Sequence, residues 1–230
     1  DGLYSYYWLP STGETSWENP EKPVVADAGR IAAAKLAKLA MIAKLAENAG
    51  FDGVWLSSFE MHAWNRLPDA SILNVADYAD AVSKMADRID VPILVDADEG
   101  GPSSINTIRM AREYSKAGAW GMCIEDNPSP KRCSFYGMKK ELEKPEIMTG
   151  KIRAAVEKNN KEGFAVVART EALIQGRGHY VALERAKMYT DAGCDAFLIH
   201  NKNKTPEEVL EFAERYHAAG LTTPLVCVPT

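Results

Sequence analysis

Short β-branched apolar segments alternate with amphipathic segments along the chain from about residue 23 onward. The apolar segments are continuous rather than alternating, as expected for parallel strands that are covered on both faces. The seven predicted strands are Val24–Ala28, Gly53–Ser58, Val91–Asp98, Gly121–Asp126, Phe164–Glu171, Ala196–His200 and Pro224–Pro229.

The segments between these strands carry apolar residues at helical spacing, and several end in Ala-Gly, a common helix C-terminus. The predicted helices are Ile31–Asn48, Val75–Arg88, Ser104–Ala117, Glu146–Lys158, Tyr180–Ala192 and Pro206–Ala219. For the last helix we expect Thr205 at the N-cap and Pro206 at the first helical position.

Strict alternation of strand and helix predicts a parallel sheet, either open and doubly wound or closed as a barrel. A Gly-rich dinucleotide motif is missing after the first strand, and polar residues recur at the ends of several strands. In a barrel those ends converge on one mouth, where active sites are found. We therefore predict a TIM-type (β/α)8 barrel over residues 23–230, with the eighth strand and the C-terminal helix outside this sequence.

Residues 1–22 differ from the rest, because two aromatic segments flank a Ser-Thr-Gly turn. This N-terminal arm resembles half a WW module, with Tyr6 and Trp17 at the positions of its proline-binding groove. One interpretation is an arm that packs on the barrel. The other is a scaffold protein whose arm binds Pro-rich peptides.

The composition excludes some function classes. The net charge of −5 makes nucleic acid an unexpected partner. The sequence contains no apolar run of about 18 residues, so we predict no membrane-spanning helix. The four cysteines have no CxxC spacing, so we expect reduced thiols and a cytoplasmic enzyme.

Acidic residues at two strand ends predict a metal site. Asp96 and Asp98 are two residues apart and therefore share one face of their strand. Such neighbouring carboxylates repel each other, and a hard cation such as Mg²⁺ would bridge them. Glu125 and Asp126 would supply further oxygen donors. The simpler alternative for Asp96 and Asp98 is a helix cap and a solvated loop acid.

Two more strand ends carry candidate ligands for an anion. A buried Arg169 requires an anionic partner, either a substrate carboxylate or phosphonate, or a structural ion pair with Glu125 or Glu171. His200 ends the next strand, where an isolated histidine is more often structural.

Several motifs occur in order at the spacing of the phosphoenolpyruvate mutase/isocitrate lyase superfamily. They are Ala49–Trp55, Asp96–Asp98, Cys123–Asp126, Pro130–Ser134, Val167–Ala172 and Ile199–His200. The chain resembles this superfamily from about Glu47 to Thr230. The resemblance implies a modified barrel that binds Mg²⁺ and a 2-oxo acid and makes or breaks a C–C or C–P bond. It also implies a homodimer or homotetramer.

The resemblance implies roles for individual residues. Asp96 would bind Mg²⁺ directly, while Asp98 and Glu125 would bind it through water. Arg169 would hold the substrate carboxylate, and His200 would lie near the phosphoryl group. The substrate would also meet the backbone of Ser57, Ser58 and Phe59, the side chain of Asp69, and Lys131 on a gating loop from Asp126 to about Gly137.

The branch within the superfamily depends on a few positions. Asp69, the segment from Arg169, and His200 resemble phosphoenolpyruvate mutases, which act on a phosphonate. Lys131-Arg132-Cys133 resembles the lyases, whose cysteine is an acid/base, but Ser134-Phe135 follows it here, so the histidine of the lyase motif is lost. The segment Asp96–Gly101 departs from the usual Asp-Ala-Asp-Thr-Gly-Tyr. We favour the mutase, with phosphonopyruvate hydrolase and a 2-methylisocitrate-type lyase as alternatives.

Overall fold

The computed structural model describes residues 28–133, 141–158 and 163–228, and the backbone alone for residues 28–37 and 158. The chain divides into two units, residues 1–35 and 36–230. Of the first unit only the start of a helix is described. The predicted N-terminal arm and the first predicted strand lie outside the described residues, except that Ala28 belongs to this helix.

Helices and parallel strands alternate throughout the described part of the chain. In chain order they are α1 (Ala28–Asn48), β1 (Val54–Leu56), α2 (Ser58–Trp64), α3 (Val75–Ala86), β2 (Ile93–Asp96), α4 (Ser104–Ala117), β3 (Gly121–Glu125), α5 (Pro145–Lys158), β4 (Ala165–Thr170), α6 (Gly178–Asp191), β5 (Ala196–Ile199), α7 (Glu207–Ala218) and β6 (Leu225–Cys227).

The six described strands form one parallel sheet in the order of the sequence, from β1 to β6. Each strand pairs with the next, as shown by Trp55 beside Leu94 and Glu125 beside Arg169. Sequential parallel order with a helix in every connection is the topology of a TIM-type barrel. The sheet is thus a curled half-barrel, which confirms the predicted fold class.

Strand residues alternate between two apolar layers. The larger layer packs the sheet against the helices and includes Met122, Val166 and Phe197. The smaller one, here called the interior cluster, consists of Cys123, Val167 and Leu198, with Trp55 and Leu94 packed against it. Because side chains along a strand alternate between faces, the interior cluster marks the positions that point into the barrel.

Several predicted boundaries were wrong by a few residues. The strand ending at Asp96 was predicted to reach Asp98, but Asp98 has a φ of +52°, which takes it out of the extended region. Helix α2 was not predicted, since its seven residues are too few to show a clear period. Helix α7 begins at Glu207 with Pro206 as its N-cap, one residue later than expected from Thr205.

No helix among the described residues is long and apolar enough to cross a membrane.

Gly121 gives the first test of this packing. A Cβ atom at Gly121 would lie 2.6 Å from the carbonyl oxygen of Ala165 on the neighbouring strand. We expect Gly121→Ala to lower the free energy of unfolding by about 2 kcal/mol, because the backbone of β4 must move. Urea unfolding followed by circular dichroism measures the change.

Gly150 is the matched control for Gly121. It lies within α5, and a Cβ there would make only an ordinary contact, 3.6 Å from the Ser104 hydroxyl. Gly150→Ala should leave stability unchanged or raise it by up to about 1 kcal/mol, because Ala favours the helix. Equal effects of the two substitutions would contradict the close approach of β3 and β4.

Candidate active site

The carboxyl ends of the central strands carry polar residues on the barrel-interior face. These residues lie two positions beyond Leu94 and the interior cluster, and they are Asp96 on β2, Glu125 on β3, Arg169 on β4 and His200 just after β5. A spacing of two keeps each side chain on the same face as the apolar residue before it. The interior cluster therefore forms the floor of a polar site at the mouth of the half-barrel.

A largely buried chain of charged and polar contacts, here called the Arg169 group, consists of Glu125, Arg169, Glu171 and His200. Arg169 Nε lies 2.7 Å from Glu171 Oε1 and 3.2 Å from Glu125 Oε2. His200 Nε2 is 2.7 Å from the same Glu171 oxygen. Both ion pairs that the sequence offered as structural alternatives for Arg169 are present. In this arrangement Glu171 holds both Arg169 and His200 at the mouth.

Lys131 is the centre of a second group, here called the Lys131 cluster, with Ser58, Asp69 and Asp98. Its Nζ lies 2.5 Å from Asp98 Oδ1, 3.1 Å from Asp69 Oδ1 and 3.0 Å from Ser58 Oγ. All four side chains are buried. The three donor directions of the ammonium group are thus each used once. The cluster joins two loops to the ends of β1 and β2.

The electrostatics of both groups follow from burial. Desolvation raises the pKa of Glu125 to about 8 against the opposing effect of Arg169. Desolvation also raises the pKa of Asp98 to about 6, although Lys131 opposes it. Burial alone would lower the pKa of Lys131, but the carboxylates of Glu125, Asp96, Asp98 and Asp69 raise it. Among the described residues, the mouth therefore holds more carboxylates than Lys131 and Arg169 neutralise.

Ser58 connects β1 to Asp96. Its hydroxyl donates to Asp96 Oδ2 at 3.2 Å, and its backbone N–H lies 3.4 Å from the same oxygen. Ser57 caps α2 by accepting from the backbone N–H of Glu60. The predicted Ser57–Phe59 turn is thus the start of a helix, where backbone N–H groups have no intrahelical partners. Phe59 is 51% exposed.

His62 on α2 fixes the loop that carries Asp69. Its Nε2 accepts from the backbone N–H groups of Ile72 and Leu73, at 3.1 and 3.3 Å. The proton is therefore on Nδ1, which lies 2.8 Å from the carbonyl oxygen of Ser58. Sequence reasoning missed His62, since it belongs to the unpredicted helix and no strand end marks it.

Asp126 was wrongly expected to add an oxygen donor for a metal. Its Oδ2 accepts from Thr170 Oγ1, Arg185 Nη1 and Tyr189 Oη, at 2.6, 2.9 and 2.9 Å. Its Oδ1 accepts from the backbone N–H of Glu171 at 2.8 Å. The side chain follows Glu125 directly and so points to the opposite face of the strand end. There it fixes the backbone that presents Glu171.

Cys133 is buried beside the Lys131 cluster. Its backbone N–H donates to the carbonyl oxygen of Asp69 at 3.1 Å. The predicted gating loop lies outside the described residues from residue 134 onward.

A cavity of about 230 Å³ adjoins the Lys131 cluster. Its wall includes Asp98, the adjacent Glu99, and Ser71 and Ser129 from the two loops. The loops therefore enclose space next to Asp98.

The acidic residues suit a magnesium ion without forming a complete preformed cage. Within the described ranges, no group of three His, Cys, Asp or Glu side chains is arranged to hold a metal. However, although Arg169 Nε lies 3.2 Å from the buried Glu125 Oε2, this oxygen accepts no hydrogen bond from the described residues. Magnesium commonly uses one or two carboxylates and keeps several waters, so Asp96 with Glu125 and Asp98 nearby is a suitable donor set.

The sequence was also compared with known proteins. A profile of the family described as phosphoenolpyruvate phosphomutase matches residues 40–230. The chain belongs to the phosphoenolpyruvate phosphomutase family. The resemblance inferred from the motifs is thereby confirmed.

Both phosphonate-related activities occur among the similar proteins. The phosphonopyruvate hydrolase of Variovorax sp. (strain Pal2) is 38% identical over 205 residues, which cover 89% of this chain and 70% of that protein. The phosphoenolpyruvate phosphomutase structure from Streptomyces platensis subsp. rosaceus has a TM-score of 0.79 and 39% identity, covering 86% of this chain and 73% of that one. A phosphonopyruvate hydrolase in complex with oxalate and Mg²⁺ has a TM-score of 0.75 and 36% identity, covering 87% and 71%.

The chain is shorter than its relatives in the phosphoenolpyruvate phosphomutase family. It spans 70% of the Variovorax hydrolase, but only 59% and 62% of the phosphomutases of Streptomyces hygroscopicus and Tetrahymena pyriformis.

The raised pKa of Glu125 predicts a pH-dependent stability of the metal-free protein. The pKa is about 8 in the folded state and near 4.5 in the unfolded chain. Between these values the folded state binds the extra proton, so the free energy of unfolding falls as the pH rises. We expect Glu125 to contribute a decrease on the order of 3 kcal/mol between pH 5 and 8.

Urea unfolding in EDTA at several pH values measures this contribution as a difference between variants. Glu125→Gln should remove most of the decrease, whereas the same change at the exposed Glu184 should keep it. Burial and Arg169 lower the pKa of His200, so His200 makes the free energy of unfolding rise with pH. This contribution is present in the unaltered chain and in Glu125→Gln alike. Parallel pH profiles for Glu125→Gln and the unaltered chain would refute the assignment.

Proposed function

We propose that this chain is the catalytic part of a Mg²⁺-dependent phosphoenolpyruvate mutase, which interconverts phosphoenolpyruvate and phosphonopyruvate. The observation that carries the proposal is the Lys131 cluster beside the Arg169 group. Lys131 lies close enough to Glu125 and Asp96 for their charges to act on it, so the two groups share one mouth. Two desolvated cations at one site suit a small substrate with a carboxylate and a phosphorus oxyanion.

Arg169 is suited to the carboxylate end of this substrate. Its guanidinium group is fixed from one side by Glu171 and Glu125, and its side chain keeps 14% of its surface exposed. The planar group has five N–H donors, and Nε supplies only one. The remaining donors can bind a carboxylate in a bidentate manner.

Lys131, Asp69 and His200 are suited to the phosphorus end. In the mutase reaction the bond from phosphorus to the enol oxygen breaks, and the enol electrons form the new bond from C3 to phosphorus while the ketone forms. Lys131 would balance the charge of the transferring group and Asp69 would fix Lys131. Such phosphoryl transfers depend mainly on positioning and charge stabilisation.

Mg²⁺ would be held by Asp96 directly and by Asp98 and Glu125 through water, and would stabilise negative charge on the 2-oxo acid oxygens. The raised pKa values of Glu125 and Asp98 support this, because surplus buried carboxylate is what a divalent cation offsets. The hydrolase structure with Mg²⁺ and oxalate supports the same class of ligand.

A phosphonopyruvate hydrolase is the second candidate, favoured by the 38% identity to the Variovorax enzyme. It would use the same binding residues, with water taking the phosphoryl group from carbon. The lyase interpretation has less support, because Cys133 is buried and its segment is joined to the Asp69 loop.

Phosphorus NMR distinguishes these reactions directly. With phosphonopyruvate and Mg²⁺ we expect the resonance of phosphoenolpyruvate to appear, and EDTA should stop the conversion. If inorganic phosphate is the first product, the experiment contradicts the mutase activity and supports the hydrolase activity. If neither product forms, the proposal fails for this chain.

The role of Asp69 gives a separate test. Asp69→Asn removes the charge that faces Lys131 but keeps the size of the side chain. We expect turnover to fall about 100-fold or more, while Mg²⁺ affinity measured by calorimetry changes little, because Asp96 and Glu125 are intact.

The exposed Asp52 provides the control for this substitution. Asp52→Asn should keep full turnover. Unchanged turnover in Asp69→Asn, with its fold confirmed by circular dichroism, would exclude Asp69 from the reaction.

A further inference from the structure

Glu99 joins the two loops that carry Asp69 and Lys131. Its carboxylate is buried, although it follows Asp98 in a loop. Oε2 accepts from Ser71 Oγ at 2.8 Å, and Oε1 accepts from Ser129 Oγ at 2.8 Å. One side chain thus uses its two oxygens for two different loops.

Each serine is two residues from a member of the Lys131 cluster. Ser71 follows Asp69, and Ser129 precedes Lys131. Ser71 Oγ also accepts from the backbone N–H of Lys131 at 3.2 Å. The loops are therefore connected both at the Asp69–Lys131 pair and at Glu99.

Glu99 itself is anchored to the barrel. Its carbonyl oxygen accepts from Lys151 Nζ of α5 at 2.8 Å, and Lys151 is almost fully buried. Asp98 and Gly100 on either side have φ values of +52° and +74°, which define a tight turn. The carboxylate is consequently held at a fixed place independent of the two loops.

We propose that Glu99 is a positioning residue that makes the Asp69 loop and the Lys131 loop close as one unit. If either loop opens, an oxygen of a buried carboxylate loses its donor, and this is costly because the other loop still keeps the carboxylate buried. The residue acts through the two serines and not on the substrate.

The proposal rests on the proposed function only for the effect on turnover. Its primary test is therefore amide hydrogen exchange of the free protein, read in peptides covering residues 66–73 and 127–133. The variants are Glu99→Ala, Glu99→Gln and Ser129→Ala. Glu113→Gln, at a partly exposed position on α4, is the control.

We expect Glu99→Ala to raise exchange about tenfold or more in both loops, with β3 and β4 unchanged. Glu99→Gln keeps one acceptor and should have a smaller effect. Ser129→Ala is decisive, because coupled loops predict faster exchange in residues 66–73 as well as 127–133. Glu113→Gln should match the unaltered chain.

Three results would overturn the proposal. One is unchanged exchange in both loops of Glu99→Ala. Another is faster exchange confined to residues 127–133 in Ser129→Ala, which would mean independent loops. The third is a uniform increase over the whole protein in both Glu99→Ala and Ser129→Ala, which would indicate a purely structural role.

Turnover provides the second readout. If the proposed function holds, kcat for phosphonopyruvate should fall about tenfold in Ser129→Ala and further in Glu99→Ala, and the double variant should be no worse than Glu99→Ala alone. If the chain lacks this activity, the exchange experiment still decides the role of Glu99.

Discussion

The structure depends on the cost of taking many charges out of water at one place. Five carboxylates are buried near the mouth of the half-barrel, those of Asp69, Asp96, Asp98, Glu125 and Glu171. Among the described residues, Lys131 and Arg169 form the ion pairs that compensate them. Burial favours the neutral form of a carboxyl group, and desolvation raises the pKa of Glu125 to about 8 although Arg169 opposes the shift. A site of this kind is arranged to receive cationic charge, and its own two cations are arranged to receive an anion.

The scaffold supplies the rigidity that such a site needs. The interior cluster below the polar residues and the helix-facing layer behind them fix the strands from both faces. Behind Glu171, the carboxylate of Asp126 is held by Arg185 and Tyr189 from α6. The polar side chains are thus placed by backbone that has two independent supports, which limits how far they can relax when the substrate charge changes.

The two halves of the site differ in what holds them. The Arg169 group belongs to adjacent strands, so the register of the sheet determines its geometry. The Lys131 cluster is assembled from loops, and its members are joined by hydrogen bonds through His62, Ser71, Ser129 and Glu99. Loops that are held by a few polar contacts open more easily than strands, so this half is suited to admit and enclose a ligand.

The sequence by itself determined the alternation of strands and helices, the fold class, the family and the identity of the polar residues at the strand ends. This was possible because successive side chains of a strand point to opposite faces, whatever the rest of the fold. Cys123 and Glu125, for example, share a face in any parallel sheet. Only the tertiary structure decided that Asp126 turns away from the mouth, that Glu171 holds both Arg169 and His200, and that His62 and Glu99 position the loops. Apart from the contact between Arg169 and Glu171, these contacts join residues far apart in the chain, and no apolar period marks them. Their geometry depends on the packing of complete elements, which no local pattern records.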